Sequence, residues 1–256
     1  MFSRNGAFSS GSLMTRYRLA ATLEERLAAL RLVHNAYVRA GLIEPNAHGV
    51  RATPYHLLST TNIFVAECEC RRIISTMSLV GDGELGLPME TVYAPEIAQR
   101  RRDGKLMAEV SCLAADPAQV GCGMEVFIHL CRLMTVFAIW RGYDELVIAV
   151  HPRHAKFYQR MLAFRTFGEL REYPSVKDHP AVALYLDLHN MQRLPAKLYR
   201  FLLDSPYRPE DFRAPRLSEH EYRLLEECVD TESYPLPSLG MFESGVKVEP
   251  NEILVA

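Results

Sequence analysis

The segment "HPRHAKFYQRMLAF", His151 to Phe164, sets two histidines around an arginine and follows them with aromatic residues. Histidines at i and i+3 beside a proline can share a helix face, as metal ligands do, yet no third ligand stands at zinc spacing. The expectation is no metal. His151 and His154 instead line the mouth of a cleft at the C-terminal end of a strand, where α/β sheets hold ligands, and Arg153 is either a ligand contact there or a solvated arginine at a helix start. A second group capable of chemistry is Glu109, alone in the apolar run "KLMAEVSCLAAD". A carboxylate there is either buried or faces a cleft, and burial raises its pKa toward the range useful to a general base. On an edge strand it would be a solvated side chain. The cysteines (Cys68, Cys70, Cys112, Cys122, Cys131 and Cys228) include no C-x-x-C pair. Apolar neighbours at Cys112 and Cys131 point to reduced, buried thiols and to a reducing, cytoplasmic compartment.

The elements that must position these groups follow from hydrophobic periodicity. Thr22 and Glu25 stand at capping-box spacing before a helix with Leu27, Leu30, Val33 and Tyr37 on one face, ended by Gly41. "NIFVAECE" and "IISTMSLV" predict a β-hairpin. Residues 81–104 form a long irregular connection with a short helix near its end, and connections of that length are often functional. "KLMAEVSCLAAD" is a strand, "GCGMEVFIHLCRLMTVFAIWRG" a buried helix, "DELVIAV" a buried strand, "PRHAKFYQRML" a helix with Pro152 in its first turn, and "FGELREY" and "AVALYLDL" two closing strands. The central strand–helix–strand unit places its two strands parallel and adjacent. The whole predicts an α/β (α+β) fold with a mixed central sheet flanked by helices. Residues 1–14 read as a disordered tail, 15–189 as the main domain, and 190–256 as a helical and irregular extension. A 256-residue chain has ample core without staples, and its net charge of −2 exerts no general pull on nucleic acid or anionic lipid. The most apolar helix is interrupted by Glu125, His129 and Arg132, so no membrane span is expected.

This order of elements resembles the GNAT acyltransferase superfamily over roughly residues 15–188. Within it the chain is similar to the branch of N-acyl amino acid synthases and acyl-homoserine-lactone autoinducer synthases. "FYQRMLAF" matches the F-Y-x-x-x-G-F signature of the last GNAT helix, with Ala163 in place of glycine. "AEVSCLAAD" is similar to the E-x-S-R strand of autoinducer synthases, with Cys112 in place of arginine. "RATPYHLLSTTNIFVA" together with "LVGDGELGLPMETVY" looks like the N-acyl amino acid synthase pattern. The Q/R-x-x-G-x-G/A loop that binds coenzyme A pyrophosphate at a helix N-terminus is degraded here. In "AQVGCGM", Ala118 takes the polar position and Gln119 is one residue out of register. That change suits a donor with a single phosphodiester, acyl carrier protein, better than coenzyme A, although Gly121 and Gly123 remain able to bind a phosphate.

The resemblance implies a fatty acyl transfer to the α-amine of an amino acid or similar small amine. It needs no tightly bound cofactor; acyl-phosphopantetheine, on carrier protein or coenzyme A, is the co-substrate. Glu109 is then the base. Tyr158 falls at the position of the acid that protonates the departing thiolate, or is a tyrosine packed on the sheet. Ser111, Cys112, Leu113 and Ala114 supply backbone oxyanion donors where this fold splays two strands. With Gly121, Gly123, Arg153 and His154 they form the donor site. Attack is direct, because Cys112 has no adjacent histidine base. Arg51 and Tyr55 are expected on the acceptor side, where a cation holds a carboxylate, and Asp82, Leu87 and Met89, with Val92, line the acyl pocket unless they are plain core. The basic run Arg100–Lys105 is a docking surface for an acidic carrier protein, or a solvated helix end. Alternatives are an acyl-CoA or acetyl-CoA N-acyltransferase, autoinducer synthesis (opposed by the missing arginine at Cys112), and an acyl-sensing module without turnover. Oligomeric state is not legible.

Overall fold

The computed structural model describes residues 15–118, 123–204, 206–213 and 216–231. The N-terminal tail, Gly121 and most of the loop before the long helix, and residues 232–256 lie outside them.

Seven strands form one mixed sheet in the order β1-β2-β3-β4-β5-β7-β6. β1 (Arg16–Leu19), β2 (Thr61–Glu67), β3 (Ile73–Gly81) and β4 (Met107–Ala115) are successive antiparallel neighbours. β5 (Glu145–Val150) pairs with β4 in parallel, as the strand–helix–strand unit predicts. β7 (His179–Asp187) pairs antiparallel with both β5 and the edge strand β6 (Arg165–Tyr173).

The helices divide between the two faces because consecutive strand residues point to opposite sides. Leu146 and Ile148 of β5 join Phe64, Met77, Leu130 and Phe137 beneath α3 (Gly123–Trp140). Val147, between them, joins Leu87, Tyr93, Ile97 and Met107 beneath α2 (Glu90–Arg102). On that second face α1 (Leu23–Arg39) covers Ile63 and Val65 of β2 and Cys112 and Ala114 of β4. α4 (Pro152–Leu162) and α5 (Ala196–Leu203) lie on the α3 side. α6 (Glu219–Glu226) buries Leu225 against the α1 cluster. By length and apolarity alone α3 could cross a membrane; here its Leu130, Leu133, Phe137 and Ala138 are buried against the sheet.

The predicted capping box is formed: the Thr22 hydroxyl accepts from the Glu25 N–H at 3.2 Å, and Glu25 accepts from the Thr22 N–H at 3.3 Å. Arg18 clasps Glu25 at 2.8 Å and Glu67 at 2.7 Å, joining α1 to the first two strands. α2 departs from expectation. It has 13 residues and contains Pro95, with the break absorbed at Tyr93 (φ −116°, ψ 31°). Proline lacks the N–H and crowds the preceding turn, so a pattern search stops there. The Tyr93 ring anchors the kink, its one hydroxyl hydrogen shared between Ala181 O at 2.8 Å and Glu169 O at 3.0 Å.

Two features of β4 shape everything near Glu109. Its ladder with β5 has three pairs, ending at Glu109–Val147. Against β3 its register shifts, with Thr76 opposite Ala114 but Ser78 opposite Ser111. The extra residue is a bulge, and Cys112 within it has φ 52°, in the left-handed region.

Ala163 also has a left-handed backbone (φ 56°, ψ 21°), where it ends α4 and its N–H donates to Tyr158 O. This is the position at which the GNAT signature carries glycine, and the β-carbon costs about 1 kcal/mol there. Ala163→Gly is expected to stabilise the protein by about 1 kcal/mol. Urea midpoints check this, and a lower midpoint for the variant would contradict it.

Candidate active site

Where β4 and β5 part, a cavity of about 920 Å³ opens. It reaches both sides of the sheet. Glu109, Arg51 and Tyr37 line it from the α1/α2 side, and Phe127, His154 and Tyr158 from the α3/α4 side. A smaller chamber of about 160 Å³ shares Val110, Ser111, Cys112, Leu113 and Tyr158 with it and continues between β5, α3 and α4.

Glu109 is 3% exposed. Its Oε2 accepts from the Met89 N–H at 2.7 Å, directly before α2. Burial pushes its pKa up from 4.5 to about 8; the Met89 hydrogen bond opposes this and the nearby Glu90 charge adds to it. The carboxyl therefore changes charge close to neutral pH, in the range where it can exchange a proton with an amine.

Arg51 is buried, with its guanidinium 5.0 Å from the Tyr37 ring centre and Nη2 donating to Ser175 O at 3.1 Å. His56, behind it, accepts the Thr53 N–H on Nδ1 at 3.0 Å, which leaves the proton on Nε2, 3.4 Å from Ser78 Oγ. Burial first, then the Arg51 charge, lowers His56 to about 4, so it is neutral. With Glu109 protonated and His56 neutral, Arg51 gives this side of the cavity a positive potential.

On the other side, Tyr158 is held edge-to-face by Phe157 at 5.5 Å and Phe164 at 5.7 Å. Burial, with a smaller push from Cys131, raises its pKa to about 12, so the phenol keeps its proton. His151 caps α4, its Nδ1 accepting the Arg153 N–H at 3.2 Å, and Arg153 Nε donates to His154 Nε2 at 2.9 Å. The two histidines thus act as a cap and a hydrogen-bond acceptor at the cavity mouth. Burial pushes the Cys112 thiol up, which disfavours a nucleophilic thiolate.

Of the residues singled out in the sequence, Glu109, Tyr158, Ser111, Cys112, Leu113, Ala114, Gly123, Arg153, His154 and Arg51 meet at this one cavity. Gly121 lies outside the described residues. Five others sit elsewhere, among them Val92, which packs against the cluster beneath α2. Tyr55 packs on Val80 in a short 3-10 turn (Pro54–Leu57). Asp82 is bonded to Arg101 at 2.7 Å. Leu87 and Met89 are fully buried beneath α2, so their side chains are core, although the Met89 backbone holds Glu109. The basic run is also displaced. Arg100 pairs with Glu145 at 2.6 Å and stacks over Tyr185 at 3.7 Å, while Arg101 joins Asp82 and Glu90. It lies by the start of β4 and β5, and the donor mouth lies past the other end of β5. β5 starts level with β4 and runs six residues before His151, so at about 3.3 Å each about 20 Å separates them. Tyr37, Thr53, Tyr173 and Ser175 also line the cavity. They come from separated segments with no local pattern, so only the fold brings them to light.

The family model described as N-acyl amino acid synthase FeeM matches residues 28–187. Among solved structures, FeeM, an N-acyl amino acid synthase from uncultured soil microbes, is 27% identical with a TM-score of 0.64, covering 72% of this chain and 96% of its own. The acyl-homoserine-lactone synthase LasI (13% identity, TM-score 0.56, 80% and 100% coverage) shares the fold. So does the CoA-dependent acyl-homoserine lactone synthase BjaI with SAM and isopentyl-CoA (13% identity, TM-score 0.53, 84% and 100%). No curated protein matches.

Glu109 releases its proton near 4.5 in the unfolded chain and near 8 in the fold. Stability from this group is therefore full below about pH 4.5 and is lost as pH rises toward 8. Glutamine keeps the shape and cannot ionise. Glu109→Gln is expected to match wild type near pH 4 and to exceed it increasingly up to pH 8. Chemical denaturation across that range measures this; a variant less stable than wild type at pH 8 would remove the burial argument.

Proposed function

The chain belongs to the N-acyl amino acid synthase FeeM family, and from that premise we propose that it moves a fatty acyl group from acyl carrier protein to the α-amine of an amino acid or similar small amine. The observation that carries this is the convergence of Glu109 and Tyr158, from opposite faces of the sheet, on one cavity between the parted strands.

The amine enters from the α1/α2 side, its carboxylate drawn to buried Arg51. Glu109, as the carboxylate, accepts a proton from the amine. With its pKa at about 8, it is matched to an amine far better than an ordinary carboxyl is. The nitrogen then attacks the thioester carbon. Charge develops on the carbonyl oxygen beside residues 111–114, where β4 has left its ladder with β5 and backbone N–H groups serve as donors. The tetrahedral intermediate collapses: the C–S bond breaks with its electron pair on sulfur, the surplus proton on nitrogen passes to that sulfur, and the products are the amide and the free thiol. Tyr158 faces the departing sulfur. A phenol at about 12 is a weaker acid than a thiol at about 8.5, so full transfer to the thiolate is uphill. Its contribution is a hydrogen bond that steadies the sulfur, and it is modest.

The donor arrives from the α4 side. Arg153, Lys156 and Arg160 are exposed at i, i+3 and i+7, one face of the helix that carries Tyr158. An acidic carrier protein suits that face, and it replaces the distant Arg100–Lys105 run as the docking surface.

The test is incubation with acyl carrier protein thioesters, or acyl-CoA, and an amino-acid mixture, with new amides read by mass spectrometry. Amide from carrier thioesters is expected, with kcat/KM rising to a plateau above about pH 8 and lost in Glu109→Gln. Equal turnover of acyl-CoA would assign the donor to coenzyme A, and no amide with any donor would end the proposal. Tyr158→Phe is expected to cost about tenfold or less, in line with a lost hydrogen bond. The double variant Lys156→Glu/Arg160→Glu is expected to raise KM for the carrier thioester about tenfold and to leave turnover of acyl-pantetheine unchanged. Loss of both would place those residues outside docking.

A further inference from the structure

The 160 Å³ chamber behind Tyr158 has a mainly apolar wall. Met134 of α3, Leu146 and Ile148 of β5, Leu162 of α4 and Phe164 face it. Dry apolar cavities of about this size take a benzene-sized guest, so the chamber has room for about six carbons. Its far wall comes from a part of the chain that the family match does not reach. The match ends at residue 187, and Leu194 and Leu202 both line the chamber.

That wall is fixed. Leu194 is 4% exposed and Leu202 2%. α5, which carries Leu202, is fastened to α3. The Arg132 guanidinium lies 4.6 Å from the Phe201 ring centre and donates to Asp204 O. His129 meets the same ring edge-on at 5.0 Å and stacks on Tyr17 at 4.8 Å from the other side. A stop held this firmly gives a discrete limit of length. We infer that Leu194 and Leu202 form the floor against which the end of the acyl chain rests, so that the segment after β7 sets which chain lengths are used. This rests on the acyl-transfer reading of the cavity.

The experiment measures kcat/KM for amide formation over a ladder of carrier thioesters in steps of two carbons, for wild type, Leu202→Ala, Leu194→Ala and Leu202→Phe. The alanine variants are expected to move the optimum to longer chains by two carbons or more. The phenylalanine variant is expected to move it to shorter ones, losing about fourfold per methylene displaced, or about fifteenfold for two. Folding is checked by thermal unfolding, and Leu194→Ala serves if a Leu202 variant does not fold. An unmoved optimum in folded variants overturns the inference while leaving acyl transfer intact. If wild type forms no amide, the transfer reading fails by itself. The floor is then read from calorimetric affinities of S-alkyl-pantetheine thioethers over the same lengths. The same shift in the best-bound length upholds the floor, and identical profiles in all variants overturn it.

Discussion

Three residue pairs hold β4 to β5, and the ladder stops at Glu109–Val147. The arrangement of the site depends on that early stop. A continuous sheet is a wall, because every backbone group is spent on its neighbour and side chains alternate to separate faces. Glu109 would then look only toward α2, and Tyr158 only toward α3. The bulge at Cys112 turns β4 away from β5. The wall becomes a slot that groups from both faces reach, edged by backbone N–H groups freed from strand pairing. The left-handed backbone at Cys112 carries a local strain, of the kind that tends to gather where a chain has work to do.

The electrostatics on the α1/α2 side follow from burial. A carboxyl, an imidazole and a guanidinium are all buried on this side, and two of them respond by giving up charge near neutral pH. Glu109 is pushed up to about 8 and His56 down to about 4. Arginine stays charged in proteins, and Arg51 answers its burial with the Ser175 carbonyl and the Tyr37 ring. Below about pH 8, where Glu109 keeps its proton, the Arg51 charge makes this side of the pocket favour an anionic guest.

Much of this was legible in the sequence. Hydrophobic period and capping chemistry located α1, the β2–β3 hairpin, α3 and α4, because each has a face that must be buried. The lone carboxylate in an apolar strand drew attention to Glu109, and the resemblance to the GNAT helix signature, rather than composition, drew attention to Tyr158. What failed was assignment within residues 81–105. Leu87 and Met89 have the same composition whether they line a tunnel or sit beneath a helix. Pro95 hid the length of α2. Arg100 and Arg101 read as a solvated or docking patch because Glu145, Asp82 and Glu90 approach them only in the fold. The wall supplied by Leu194 and Leu202 was equally hidden, since nothing in a run of leucines says which neighbour they will meet.

A cavity lined from both faces of the sheet offers two sides of approach. On the proposed reading, the amine and the acyl donor take one each, so neither blocks the other. Such a layout has no built-in queue: it suits random-order assembly of a ternary complex, with neither molecule obliged to wait for its counterpart's departure.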